Sequence, residues 1–203
     1  MEDEGMRTKL GAAAIIAALV VPFGGATLAQ SPGAGTAHAA VADADGADVG
    51  SVTWTQRAGT VTVEVAVHGL APGFHGFHVH AVGECVAPFT SAGPHLNPGG
   101  VTHPDHAADQ PVLLVNADGT GSASFITDRY AVADIVGSAV IVHANPDNYA
   151  NIPDRYLAPG PSASPAASAE PVMVAGADAA TRATGDAGPR IACGVIEAGP
   201  AVP

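Results

Sequence analysis

Hydrophobic and polar positions alternate along this chain in short runs. In Thr60–His68, Val61, Val63, Val65 and Val67 fall on one face, and Thr60, Thr62, Glu64 and His68 on the other. That is the two-residue period of a half-buried strand. Val49–Arg57 alternates more loosely around Val52 and Trp54, and Arg57-Ala58-Gly59 between the two runs predicts a tight hairpin. Val112–Val115 and Ser122–Thr127 flank Asn116-Ala117-Asp118-Gly119, a strong turn signal. Phe74–Val82, Ser138–His143, Ile191–Ile196 and a short first strand near His38–Ala42 bring the expected strands to eight. No long helical period competes with them. The expectation is an all-β chain: an eight-stranded Greek-key β-sandwich or flattened barrel, interrupted by two long functional loops, 83–109 and 145–189. Within the second loop, the Pro/Ala/Ser-rich stretch 158–171 reads as a mobile insertion without chemistry.

Composition agrees with many turns and few large side chains: 25 Gly, 17 Pro and 4% aromatics in 203 residues. The net charge of −12 makes duplex nucleic acid and anionic membranes poor partners. At the amino end, Arg7 and Lys9 precede an apolar run, Leu10–Val21, which is too short for a comfortable bilayer span and suits a signal-peptide core. Thr27-Leu28-Ala29 supplies small residues for cleavage after Ala29. Residues 1–29 are therefore expected to be an export signal and 30–36 a flexible mature terminus. The acidic start, Glu2-Asp3-Glu4, fits such a signal poorly, and initiation at Met6 would remove it. The exported chain would be soluble, extracellular or in the cell envelope. It would carry five arginines, no lysine and a charge of about −11. Cys85 and Cys193 are the only cysteines. In an exported protein a sparse even pair reads as one disulfide, with two free thiols as the alternative.

The candidate chemistry lies in the histidines. His78 and His80 sit two apart on an expected strand, so both rings project from one face with Cα atoms ~6.6 Å apart, within reach of one metal ion. His95, His103, His106 and Asp109 offer three imidazoles and a carboxylate, a set that tetrahedral zinc accepts. A merely solvated polar loop is the alternative there. His143 ends the apolar strand Ala139–Val142, where a lone histidine would ordinarily be a surface residue.

Three segments, Gly73-Phe-His-Gly-Phe-His-Val-His80, Ser91-Ala-Gly-Pro-His-Leu-Asn-Pro98 and Gly185-Asp-Ala-Gly-Pro-Arg-Ile-Ala-Cys-Gly-Val195, resemble in order three signatures of the copper/zinc superoxide dismutases. His106–Gly119 resembles that family's zinc loop and following hairpin. The resemblance covers about residues 37–198 and leaves 199–203 as a tail. It implies copper on His78, His80, His95 and His143, and zinc on His95, His103, His106 and Asp109, with His95 bridging. It further implies Asp147 as the carboxylate linking the two sites, a Cys85–Cys193 disulfide, and Arg190 as the cation beside the copper. The implied reaction is superoxide dismutation by redox-cycling copper, an antioxidant activity, with His95 and Arg190 in catalytic roles. A copper-only dismutase and a non-catalytic copper carrier or buffer are the alternatives. Relatives form different homodimers or none. The His103–His106 interval is shorter than is usual in that family, and the loop after Asn145 is longer. His75, His68 and His38 are expected to bind no metal.

Overall fold

The computed structural model describes residues 35–150, 157–159, 173–175 and 177–200. The expected signal segment and most of the 158–171 stretch lie outside them. The strands are β1 (Gly35–Asp43), β2 (Asp48–Arg57), β3 (Thr60–Val67), β4 (Gly73–His75), β5 (Phe77–His80), β6 (Leu113–Val115), β7 (Gly121–Thr127), β8 (Ala139–His143), β9 (Leu157–Pro159), β10 (Met173–Ala175), β11 (Arg190–Val195) and β12 (Glu197–Ala198). Two short helices, α1 (Val132–Ile135) and α2 (Ala179–Thr184), complete the described elements with one 3₁₀ turn at Thr90–Ala92.

Ten strands form one antiparallel sheet in the order β4-β6-β7-β3-β2-β1-β11-β8-β5, with β12 beside β1. The path begins at β4 and ends at β5, which are consecutive in the chain and separated only by Gly76. A single run of residues thus supplies both ends, and the sheet curls into a flattened, nearly closed barrel. The expected strand Phe74–Val82 is this run, broken in the middle. At the break, Gly76 donates to the Asn145 carbonyl and accepts from His143 N–H, both at 2.8 Å. A Cβ on Gly76 would stand 2.6 Å from that of Ala187, so glycine permits the close approach.

The alternating pattern works as read in β3. Val61, Val63, Val65 and Val67 are buried, together with Val52 and Trp54 of β2. Ala58 and Gly59 both take positive φ at the β2–β3 hairpin, the twist such two-residue loops need. Asn116–Gly119 turns as expected, with Gly119 N–H on the Asn116 carbonyl. Phe77 and Val79 enter the main core, whereas Phe74 is 55% exposed. β1 starts at Gly35 and so takes in the last two residues of the expected flexible terminus.

The second long loop is not structureless. β9 and β10 pair within it. α2 is capped by Asp178, whose carboxylate accepts from Thr181 N–H at 2.9 Å, and is stopped by Gly185 at φ 58°. Its six residues are too few for a helical period to stand out. Cys85 and Cys193 form a disulfide, which packs with Phe89, Ala92, Ala139 and Ile141 in a small second core.

Candidate metal centre

Strand alternation sends Phe77 and Val79 into the barrel and leaves His78 and His80 for the opposite face. β8 lies beside β5, with Phe77 opposite Val142, so His143 follows at the break beside Gly76. The first long loop lies along the free edge of β5: Asp109 bridges to His78, and His95 to His80. Elements distant in sequence thereby meet in two groups of donor atoms, each within 4.8 Å: His78, His80, His95 and His143, then His95, His103, His106 and Asp109. His95 belongs to both. All seven side chains are buried.

In His78, His80, His103 and His143 the other ring nitrogen is held, which fixes the tautomer. His80 Nδ1–H donates to the Gly93 carbonyl at 2.8 Å, and His143 Nδ1–H to that of Gly188 at 3.0 Å. His78 and His103 each donate through Nε2–H to Asp147, at 2.7 Å apiece, one on each carboxylate oxygen. Asp147 therefore spans the two groups. Among the described residues, His78 Nδ1, His80 Nε2, His95 Nε2, His103 Nδ1 and His143 Nε2 are buried with no hydrogen-bond partner. Leaving a buried polar atom unpaired costs about 1–3 kcal/mol, so five of them in one place need a ligand.

In the second group several donor spacings come near those of a tetrahedral ion. Neighbouring donors at zinc–nitrogen and zinc–oxygen distances of ~2.0–2.1 Å stand about 3.3 Å apart. Here His95 Nδ1 and His106 Nδ1 are 3.3 Å apart, His106 Nδ1 and Asp109 Oδ1 3.3 Å, His103 Nδ1 and Asp109 Oδ2 3.0 Å, and His95 Nδ1 and Asp109 Oδ1 2.8 Å. His103 Nδ1 approaches Asp109 closely without a hydrogen-bonding direction, as two ligands of one ion do. The short His103–His106 interval does not keep either ring from the group.

Electrostatics separates the two groups. Burial, reinforced by neighbouring His95 and Arg190, lowers His80 to about 2; burial likewise lowers His143 to about 3 and His95 to about 4. These rings stay neutral, the state that binds metal. Burial acts to lower His103 as well, but the carboxylates of Asp109 and Asp147 carry it up to about 9. Burial would raise those two aspartates, yet His103, with His95 or His78, holds both well below the usual carboxylate range. Four imidazoles, of His78, His95, His103 and His106, surround these two buried carboxylates, whose negative charge favours a cation among them.

Arg190 stands opposite His143 in the β11–β8 register. Its guanidinium donates to the carbonyls of Phe89 and Gly93. Gly93 also accepts from His80, so one carbonyl aligns a donor ring and the cation beside it.

His75 is buried with one ring nitrogen on the Ala71 carbonyl and the other on that of His143, outside both groups. His38 and His68 are exposed, near Glu197 and Asp48. Sequence reasoning missed Gly185. A Cβ there would lie 1.8 Å from Asp147 Oδ1, so only glycine leaves room for the linking carboxylate. It also missed Tyr149, whose ring lies parallel to that of His103 and whose hydroxyl accepts from Val112 N–H at 2.7 Å, and Arg129, whose guanidinium donates to the carbonyls of Pro104 and His106. For Arg129 the available signal was the scarcity of cations.

A Greek-key barrel carrying two donor groups fused at one histidine is the class of molecule that fold and site define. Comparison with known proteins agrees. The family model for copper/zinc superoxide dismutase (SODC) matches residues 49–196. A superoxide dismutase (Cu-Zn) of Mycolicibacterium paratuberculosis is 39% identical over 199 residues, covering 82% of this chain and 81% of that protein. One of Mycobacterium tuberculosis is 36% identical over 192 residues, covering 84% and 73%. Among solved structures, the clock protein EA4 is 28% identical with a TM-score of 0.61, covering 81% of this chain and 94% of that one. The chain belongs to the copper/zinc superoxide dismutase family.

Proposed function

We propose that this chain is an exported superoxide dismutase that converts two superoxide anions and two protons into O₂ and H₂O₂. Copper is held by His78, His80, His95 and His143, and zinc by His95, His103, His106 and Asp109. The observation that carries this reading is the convergence of four buried, unpartnered nitrogens: His78 Nδ1, His80 Nε2, His95 Nε2 and His143 Nε2. A neutral imidazole set suits copper, and a mixed imidazole–carboxylate set suits zinc. When bound, copper supplies a one-electron redox couple and zinc a fixed charge with no redox step of its own.

The protein's own groups do the rest. Arg190 gives the anion a local attraction within the ~8 Å over which charge acts at physiological ionic strength, against a repulsive whole. His95 faces the first group through Nε2 and the second through Nδ1. Its Nε2 is the atom that can carry one of the two protons to reduced oxygen, solvent supplying the other. Asp147 fixes the rings of His78 and His103 through hydrogen bonds that leave their Nδ1 atoms free.

Export and an antioxidant role outside the cytoplasm are part of this reading. The Cys85–Cys193 disulfide supports an oxidising compartment. Residues 1–29 are the proposed signal, 37–198 the catalytic domain and 158–171 an insertion in it. Among the described residues no helix is long and apolar enough to cross a membrane. Relatives form different homodimers or none, and sedimentation of the loaded protein would tell dimer from monomer here.

The deciding experiment measures copper and zinc content together with superoxide consumption and H₂O₂ formation. The expected result is both metals bound and activity abolished by removing copper. Copper-loaded protein that leaves superoxide decaying at the buffer rate would overturn the proposal in favour of a carrier.

A further inference from the structure

We propose that Arg129 is the positioning residue of the second donor group, holding the loop from Pro104 to Asp109 in its metal-binding shape before any ion arrives. This rests on the reading of His106 and Asp109 as zinc donors.

The loop has little backbone order of its own. Pro104 and Pro111 bring no N–H, so no regular ladder can run through it. Its internal bonds are Asp105 N–H on the Thr102 carbonyl at 2.9 Å, Asp109 N–H on that of His106 at 3.2 Å and His106 N–H on Asp109 Oδ2 at 3.1 Å, and backbone bonds tie it outward at Ala108, to Leu96 and Val79. Yet His106 and Asp109, three residues apart, must bring Nδ1 and a carboxylate oxygen to 3.3 Å.

Arg129 ties down the other side of the loop, at Pro104 and His106. It follows the end of β7, where its N–H donates to Thr127 Oγ1 at 3.2 Å. Nη1 of its guanidinium donates to the carbonyls of Pro104 at 2.9 Å and His106 at 3.1 Å, and lies 3.5 Å from that of Asp109. Three carbonyls of one short loop thus gather at one nitrogen, and two of them belong to donor residues. The loop is wound around a cation that issues directly from the barrel.

The next residue ties the loop down a second time. Tyr130 is buried, and its hydroxyl accepts from Gln110 Nε2 at 2.8 Å and from Trp54 Nε1 at 3.3 Å. Gln110 follows Asp109 directly. Consecutive residues of the frame therefore grip the loop at its carbonyls and just past its last donor. Arg129 is exposed and touches none of the donor atoms through these bonds, so it acts through the backbone and is not a catalytic residue.

The test uses the full disulfide-bonded chain, titrated with zinc alone and with cobalt(II) alone. Loss of an outer hydrogen bond to a metal loop typically weakens affinity ~10–100-fold, and that is the expected fall in zinc affinity for Arg129→Gln. The cobalt d–d bands of the second group should shift with it, while copper affinity of the four-histidine group stays at the parent value. Arg129→Lys, which keeps the charge without the fork, should recover part of the loss. Tyr130→Phe, which deletes only the hydroxyl, should weaken zinc in the same direction. Should Arg129→Gln fail to fold, these two variants decide. Zinc affinity within about twofold of the parent and an unmoved cobalt spectrum across all three would overturn the proposal, since a positioning contact of this kind should cost more. His106→Ala serves as the control. If it binds zinc like the parent, the donor assignment itself fails, independently of Arg129.

Discussion

At the scale of single residues, the centre depends on atoms that do no binding themselves. Asp147 can span His78 and His103 only because position 185 has no side chain. The Gly93 carbonyl aligns His80 and Arg190 together. The seven proposed donors were legible in the sequence because histidine and aspartate carry their chemistry in the side chain and their order resembles a known family. Which nitrogen of His78, His80, His103 and His143 stays free was not legible, because the Asp147 carboxylate and the Gly93 and Gly188 carbonyls, elsewhere in the chain, decide it. Arg190 belongs at this scale for prediction. Arg190→Ala should lower kcat/KM roughly tenfold or more by removing the local attraction for an anion, with copper content unchanged. Stopped-flow superoxide decay at two salt concentrations reads it, and a rate indistinguishable from the parent would remove Arg190 from the mechanism.

At the scale of elements, the β2–β3 and β6–β7 hairpins were legible because period-two runs meet strong turn residues. The break at Gly76 was not. Phe74–Val82 is apolar on both sides of it, and the break shows only in the bonds Gly76 makes to Asn145 and His143 and in its close approach to Ala187. The short helices were likewise invisible, each being under two turns. The disulfide has an element-level consequence. It ties the segment that carries the Phe89 and Gly93 carbonyls to β11, the strand that begins with Arg190. Cys85→Ser with Cys193→Ser should therefore cost ~2–5 kcal/mol of stability and also lower activity per bound copper. Denaturant melts and metal-normalised rates separate the two effects. A variant that loses stability but keeps its full rate per copper would show that the tether does not serve Arg190.

At the scale of the whole molecule, the barrel brings the rings together at the cost of burying them, and the metal-free protein should register that cost as pH changes. His80, His95 and His143 are lowered from 6.5 to about 2, 4 and 3. The unfolded chain therefore takes up more protons than the folded one below about pH 6.5, and stability falls as acid is added through that window. Asp109 and Asp147, also lowered, extend the loss below their ordinary range near 3.8. His103 has the opposite sign: raised to about 9, its contribution is present below 6.5 and lost as pH rises through 9. Chelator-treated protein should show its highest Tm near pH 6.5–7, falling below that as the buried rings oppose protonation and falling gradually from there through pH 9 as His103 gives up its proton. Calorimetry across pH 4–10 checks this, and a Tm that holds or climbs on acidification from 7 to 4 would refute it.

The donor loop along β5 also acts as a seam cover. Its two bridges, with Leu96 N–H on the Val79 carbonyl and Val79 N–H on that of Ala108, occupy the side of β5 turned away from β8. A strand so covered cannot recruit a neighbour's backbone. Whatever slackens that loop, an empty second site or a lost grip on its carbonyls, uncovers pairing-ready main chain, and polymerisation becomes the competing fate of the emptied protein.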